Sequence, residues 1–287
     1  MDDDGLAEEA RTKRLEQHNH AHIRQQAQQL RTAPDELGQL TGAVLVNDYA
    51  AIVQLAQGTT NPLVYGLALR ACPRSQLPAC DHLSAQRWIQ LDPSNATAWW
   101  ALAAAAKDRA SAIQALQGAA AATHVIPLKN QLLKRAAMLM DSGPEQLLPI
   151  AVTTIGIDSA DRFDAAAGLW TACGKTAPTD PALGAACQGF ALDAVRMEPS
   201  ALGKLGATVH AERMGAKPEQ LPRTRGELKA IVEAINEWRT PGFSASNGDL
   251  PCEMARTMMA FDLASADEGD VAVFERRQQG QTANPKR

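Results

Sequence analysis

From residue 61 to residue 214 the chain is a succession of short helix-forming runs, each stopped by Pro, Gly, Asp or Ser. The spacing of apolar residues predicts helices at about 62–72, 79–91, 95–106, 108–123, 127–141, 144–156, 159–173, 180–197 and 199–214. Turns this short leave consecutive helices no choice but to lie antiparallel beside each other. The apolar residues are largely alanine, with aromatics at only 4%, so the helices must meet through small side chains at close range. At 287 residues the chain also exceeds what one hydrophobic core usually organises, which leaves two subdomains or an elongated stack.

The flanks follow different rules. Residues 6–31 are strongly helix-forming but carry only Leu15, Ile23 and Leu30 as large apolar side chains, a stripe that packs lightly. A protruding helix, a weak coiled coil and a stalk are all open for it. Residues 36–57 form a further helical unit with Tyr49, Ile52, Val53 and Ala56 on one face and Gly58 closing it. Residues 215–224 read as a linker, helices follow at about 225–239 and 250–264, and Asp267–Arg287 is polar, with one short helix near 271–278 and a disordered end. Four parts result: 1–33, a polar helix or stalk; 34–214, the helical array; 215–266, a helical hairpin; and 267–287, a polar tail.

Cysteines sit at turns. Cys72 and Cys80 flank a breaker-rich segment between two helical patterns, and Cys173 and Cys187 flank a longer Pro-containing one. Such placement suits two disulfides, each closing a helix-helix turn and stabilising it by about 2.5–3 kcal/mol in the chain-entropy view. The alternative is four small buried residues in alanine-rich interfaces. The disulfide reading places the chain in an oxidising compartment. The first residues, Met1 to Leu6, have neither the basic start nor the apolar segment of a secretory signal, so a cytoplasmic chain and one trimmed of a leader both stay open. Cys252 is left over and reads as a buried thiol.

Asp92-Pro-Ser-Asn-Ala-Thr-Ala-Trp99, followed by Leu102, Ala103, Ala115, Ala122 and Pro127, resembles the tetratricopeptide repeat: an aromatic, a leucine three on, small residues at the helix crossing and a closing proline. Thirty-four residues earlier, Tyr65, Ala68, Leu69, Cys72, Ala85, Trp88 and Pro93 give a looser copy, and the register fades after residue 128. The resemblance implies an all-α, right-handed solenoid of antiparallel helix pairs. It also implies a concave groove lined by Leu63, Gly66, Arg70, Thr97, Trp100, Ala104 and Lys107, with Trp99 in the core and Trp100 turned outward; the opposite placement of Trp100, against a neighbouring helix, stays open. Tyr65, Arg70, Trp100 and Lys107 are the candidate partner-binding residues. The lysine and asparagine clamp that holds peptide carboxylates in some members of that family is missing. The cysteine pattern is also similar to that of exported bacterial helical-repeat proteins, which implies the cell envelope, in the periplasm, and no activity.

Other chemistries find little purchase. With 28 basic and 32 acidic residues scattered along the chain, no basic stripe exists for nucleic acid. The apolar runs are too short to span a bilayer. His18 and His22 share a helix face, but no third ligand completes a metal site, so no metal and no cofactor are expected. Cys173-Gly-Lys-Thr176 lacks the earlier glycine and the strand of a phosphate-binding loop. Asp158, Asp161 and Asp164 read as the acidic first turn of a helix. The expectation is a non-enzymatic protein-protein interaction scaffold of the bacterial envelope, in one version an immunity or assembly partner of a secreted protein. The rival is a helical enzyme, of hydrolase or lyase class, whose site gathers residues distant in sequence.

Overall fold

The computed structural model describes residues 13, 17, 20–72, 78–140, 147–151, 153, 154, 165–174, 181–239 and 252–283, with the side chains of 252, 255 and 281–283 excepted. Among them the chain is all-helical, without a β-strand, and no helix is long and apolar enough to cross a membrane. In chain order the helices are α1 (20–31), α2 (Glu36–Leu45), α3 (Tyr49–Gly58), α4 (Pro62–Ala71), α5 (Ala85–Leu91), α6 (Ala96–Ala105), α7 (Arg109–Ala121), α8 (Gln131–Met140), α9 (147–151), α10 (Ala165–Cys173), α11 (Pro181–Met197), α12 (Ala201–Arg213), α13 (Arg225–Arg239) and α14 (Cys252–Ala283). Two 3-10 turns, Pro78–His82 and Pro218–Gln220, lie between them.

The turns are made by caps. Asp35, Asp48, Asn61, Ser84, Asn95, Asp108 and Ser200 each accept a hydrogen bond from a backbone N–H of the helix they precede, satisfying donors that the helix itself leaves orphaned. Each such cap contributes about 1 kcal/mol. Asn95 does more: buried completely, its Oδ1 also accepts from Ile126 N at 3.1 Å, tying the start of α6 to the segment before α8. That segment delays α8, predicted from 127. Asn130 adopts a left-handed φ of 61°, and the helix starts after it. The run predicted as one helix at 79–91 is likewise two elements, because the Tyr65 hydroxyl accepts from Ser84 N at 3.0 Å and holds the chain extended there.

Both cysteine pairs are bridged, Cys72 to Cys80 and Cys173 to Cys187, with Cα atoms 5.6 and 5.9 Å apart. The first closes the turn after α4, and the second joins the end of α10 to the second turn of α11. All four residues are buried, so each bridge sits inside a core rather than on the surface.

Among the described residues four apolar clusters hold the helices. The first gathers α2 to α5 with Ala98 and Ala101 of α6, around Tyr65, Leu67 and Trp88. The second joins the other side of α6 (Ala96, Trp100, Ala103) to α7, α10, α11 and α12. A helix apolar all round is one buried on two sides, which is the position of α6. The third packs Ala27 and Leu30 of α1 against Leu45, Leu133, Ala136, α9 and Met259. The N-terminal helix is therefore seated in the body from about Ile23 onward, through alanines as well as leucines. The fourth joins Ala201, Ile231, Ile235, Phe261, Val271 and Val273.

Neighbours in space are not always neighbours in sequence. α10 packs on α6 and α7, while α8 packs on α2 and α14. The C-terminal part is not a polar tail: α14 runs to Ala283 with one break at Gly269, and Asp270, Val271 and Val273 are buried. Its polar side chains are the fastening. Lys129 Nζ lies 3.0 Å from Asp270 Oδ2, Asn130 Nδ2 donates to Ser265 Oγ at 2.9 Å, Lys134 pairs with Asp267, and Arg239 pairs with Asp262 at 2.9 Å.

Candidate functional site

The residues expected to line a groove do not form one together. Trp100 is 2% exposed and belongs to the second core, whereas Trp99 is the half-buried one, its ring over Gly118 and its Nε1 donating to Pro93 O at 2.8 Å. Of the two placements open for Trp100, the structure shows the one against a neighbouring helix, because α10 covers that side of α6. Tyr65 is also buried, its hydroxyl spent on Ser84. Arg70 is half-buried in the last turn of α4, and Lys107 is exposed after α6. Neither tryptophan nor tyrosine here offers a partner a free face of the kind assumed.

Other candidates are accounted for by local structure or fall outside the described residues. His22 Nε2 is 3.0 Å from Gln26 Nε2, one turn on, and His18 lies outside the described residues. So do Lys175, Thr176, Asp158, Asp161 and Asp164. Among the described residues no group of three or more His, Cys, Asp or Glu side chains is placed to hold a metal ion.

What the fold does build is a cleft of about 540 Å³ where the end of α11, the start of α12, the segment 222–228 and α14 meet. Ligand sites commonly occupy 300–1,000 Å³. Its walls are Val195, Met197, Pro199, Pro222, Leu228, Val271 and Ala272, and its charged groups are Arg196, Glu198, Lys204, Arg223, Glu268 and Glu275. Residues 195 and 275 are far apart in sequence, so no motif announces the cleft; only the break at Gly269 turns Val271 and Glu275 toward α12.

Each charge has work in the fold. Lys204 Nζ donates to Val195 O at 2.8 Å and Arg196 O at 3.3 Å, capping the carbonyls that α11 leaves open at its C-terminus. Burial lowers the Lys204 ammonium below the ordinary lysine value; Glu198 opposes that shift and Arg223 adds to it. Glu198, nearly buried, accepts from Ala165 N at the start of α10 and from Ser200 N and Oγ at the start of α12, where the helix dipoles favour a carboxylate. Arg223 pairs with Glu275 across the mouth, Glu268 with Arg276, and Arg196 with Asp193. The result is an apolar trough rimmed by half-exposed ion pairs that can exchange partners cheaply, since such pairs contribute about 0–1 kcal/mol.

A second polar centre lies behind it. Asp262 is fully buried and held by Arg239 on one oxygen, while its Oδ1 and the Arg239 Nε find no hydrogen-bond partner among the described residues. Burial raises the Asp262 carboxyl above the usual carboxylate value against the pull of Arg239 and Lys129, with Asp270 adding to the rise. On the far side of α12, His210 stands edge-on to Trp170, ring centroids 5.6 Å apart, and burial, with help from Arg213, lowers its basicity. Trp170 and Leu202 are among the exposed large apolar residues. The chain matches no family model, no curated protein and no solved structure.

Proposed function

We propose that this protein is a non-enzymatic binding scaffold of the bacterial envelope that holds a segment of another protein in the α11–α12–α14 cleft. The observation that carries the reading is the character of that cleft: apolar walls, a rim of exchangeable ion pairs, and interior charges already committed to capping helices. A polypeptide segment supplies what such a trough lacks, an apolar side chain for Val195, Leu228 and Val271 and polar groups for the rim. The envelope placement draws support from the two buried disulfides, which persist where thiols are oxidised. A tetratricopeptide-like parentage draws support from α10 and α12, which run side by side in one direction, Ala166 beside Gly206 and Trp170 beside His210, with α11 between them in sequence.

One observation favours the enzyme reading: Lys204 is an amine with lowered basicity at the edge of a cavity, the profile of a reactive lysine. The two readings separate in one experiment. A photo-crosslinking amino acid placed at Arg196, on the cleft rim, is compared with one at Gln90, exposed on α5, in cells that make the protein. Binding in the cleft gives a discrete protein adduct from position 196 that is missing from position 90 and unaffected by Lys204→Arg. Equal labelling at both positions, or none, contradicts the proposal.

A further inference from the structure

We infer that the part of α14 beyond Gly269 is a hinged wall of the cleft, docked when the chain is kinked at Gly269 and swung away when α14 runs straight. Gly269 stands inside a helical run with φ 80° and ψ 163°, a conformation open to glycine and almost nothing else. The kink interrupts the backbone ladder of α14, which a straight helix would restore. What holds it is docking: Asp270 on Lys129, Glu275 on Arg223, Val271 and Val273 in the fourth cluster, and the Arg277 guanidinium 4.7 Å over the Trp238 ring, itself stacked on Phe274. The closeness of the hinge to its seat is extreme, because a Cβ on Gly269 would lie 2.4 Å from Pro199 O.

Two opposed sets of interactions on one glycine make a two-position element. Its docked position supplies Val271, Ala272 and Glu275 to the cleft, so an occupant that touches them binds only the kinked form and draws the equilibrium toward it. This coupling rests on the binding reading given above, whereas the hinge itself is a property of the free protein and is tested there.

Hydrogen exchange with mass readout on the free full-length protein compares peptides covering 270–280 with peptides covering α12. Asp270→Asn combined with Glu275→Gln weakens docking without straining the backbone, and exchange in 270–280 is expected to quicken at least tenfold while α12 keeps its protection. Gly269→Ala, which cannot hold the kink, is expected to do the same with unchanged or increased helical circular dichroism. Unchanged protection of 270–280 in the double variant overturns the hinge, and so does quickening shared equally by α12, which marks global loosening. If the hinge passes and cross-linking at Arg196 is indifferent to both variants, the hinge stands and only its coupling to the cleft fails.

Discussion

Arg239→Met removes the guanidinium that pairs with Asp262, the one hydrogen-bonding partner its carboxylate oxygens find among the described residues. Asp262 is 0% exposed, its Oδ1 has no partner among the described residues, and the Arg239 head group 2.9 Å from Oδ2 is its direct counter-charge. Leaving a buried charge uncompensated costs about 3–5 kcal/mol, whereas replacing both members by apolar residues is often neutral. Arg239→Met alone is therefore expected to destabilise by about 3 kcal/mol or more at pH 7, and Arg239→Met with Asp262→Leu to stay within about 1 kcal/mol of the parent. Urea unfolding followed by circular dichroism measures both. The sign with pH is fixed by the raised carboxyl: the folded chain holds the Asp262 proton more tightly than the unfolded one does, so this contribution is complete below 3.8 and is lost as pH rises through the raised folded value. The single variant should accordingly recover part of its deficit as the pH is lowered from 7, because protonation removes the stranded charge. A deficit below about 1 kcal/mol at pH 7, or one that does not shrink on acidification, refutes the placement of this pair in a dry interior.

Replacing Cys72 and Cys80 by alanine should cost about 2.5 kcal/mol, and Cys173 and Cys187 about 3 kcal/mol, from loops closed over separations of 8 and 14 residues; denaturant midpoints of the reduced-cysteine variants check the order. Gly66→Ala pushes a methyl to within 2.3 Å of the Trp88 ring and should destabilise by about 1–3 kcal/mol, whereas Gly184→Ala, in α11 with open space around it, should stabilise by about 0.5–1 kcal/mol; thermal unfolding distinguishes the two signs. His210 is held neutral by burial, so its contribution is present above 6.5 and is lost as pH falls through its lowered folded value; His210→Gln should flatten the stability profile of the parent across that window.

Many of the helices between 62 and 214 were legible because their signals are local. The helix starts expected at about 62, 95, 108 and 199 fall within two residues of the observed ones, which Asn61, Asn95, Asp108 and Ser200 cap, and the cysteine pairs flank the turns that the two bridges close. The facing of Trp99 and Trp100 was not legible, since α6 is apolar on every side and its period cannot choose between two cores. Residues 267–283 look like a solvated tail because their aspartates find Lys129 and Lys134, more than 130 residues away, only in the folded chain. The first helix looks lightly packed because alanine carries part of its contact, and a stripe counted in large residues overlooks Ala27. The cleft joins α11, α12, the 222–228 segment and α14, and no periodicity within one of them encodes it.

Mass analysis of the unreduced, alkylated protein tests the central claim most directly, namely that the helices are held by two buried bridges. The protein isolated from the cells that make it should carry a single alkyl group, on Cys252, with peptides linking Cys72 to Cys80 and Cys173 to Cys187. Five alkylated cysteines, or bridges that pair the four residues in another way, would contradict it.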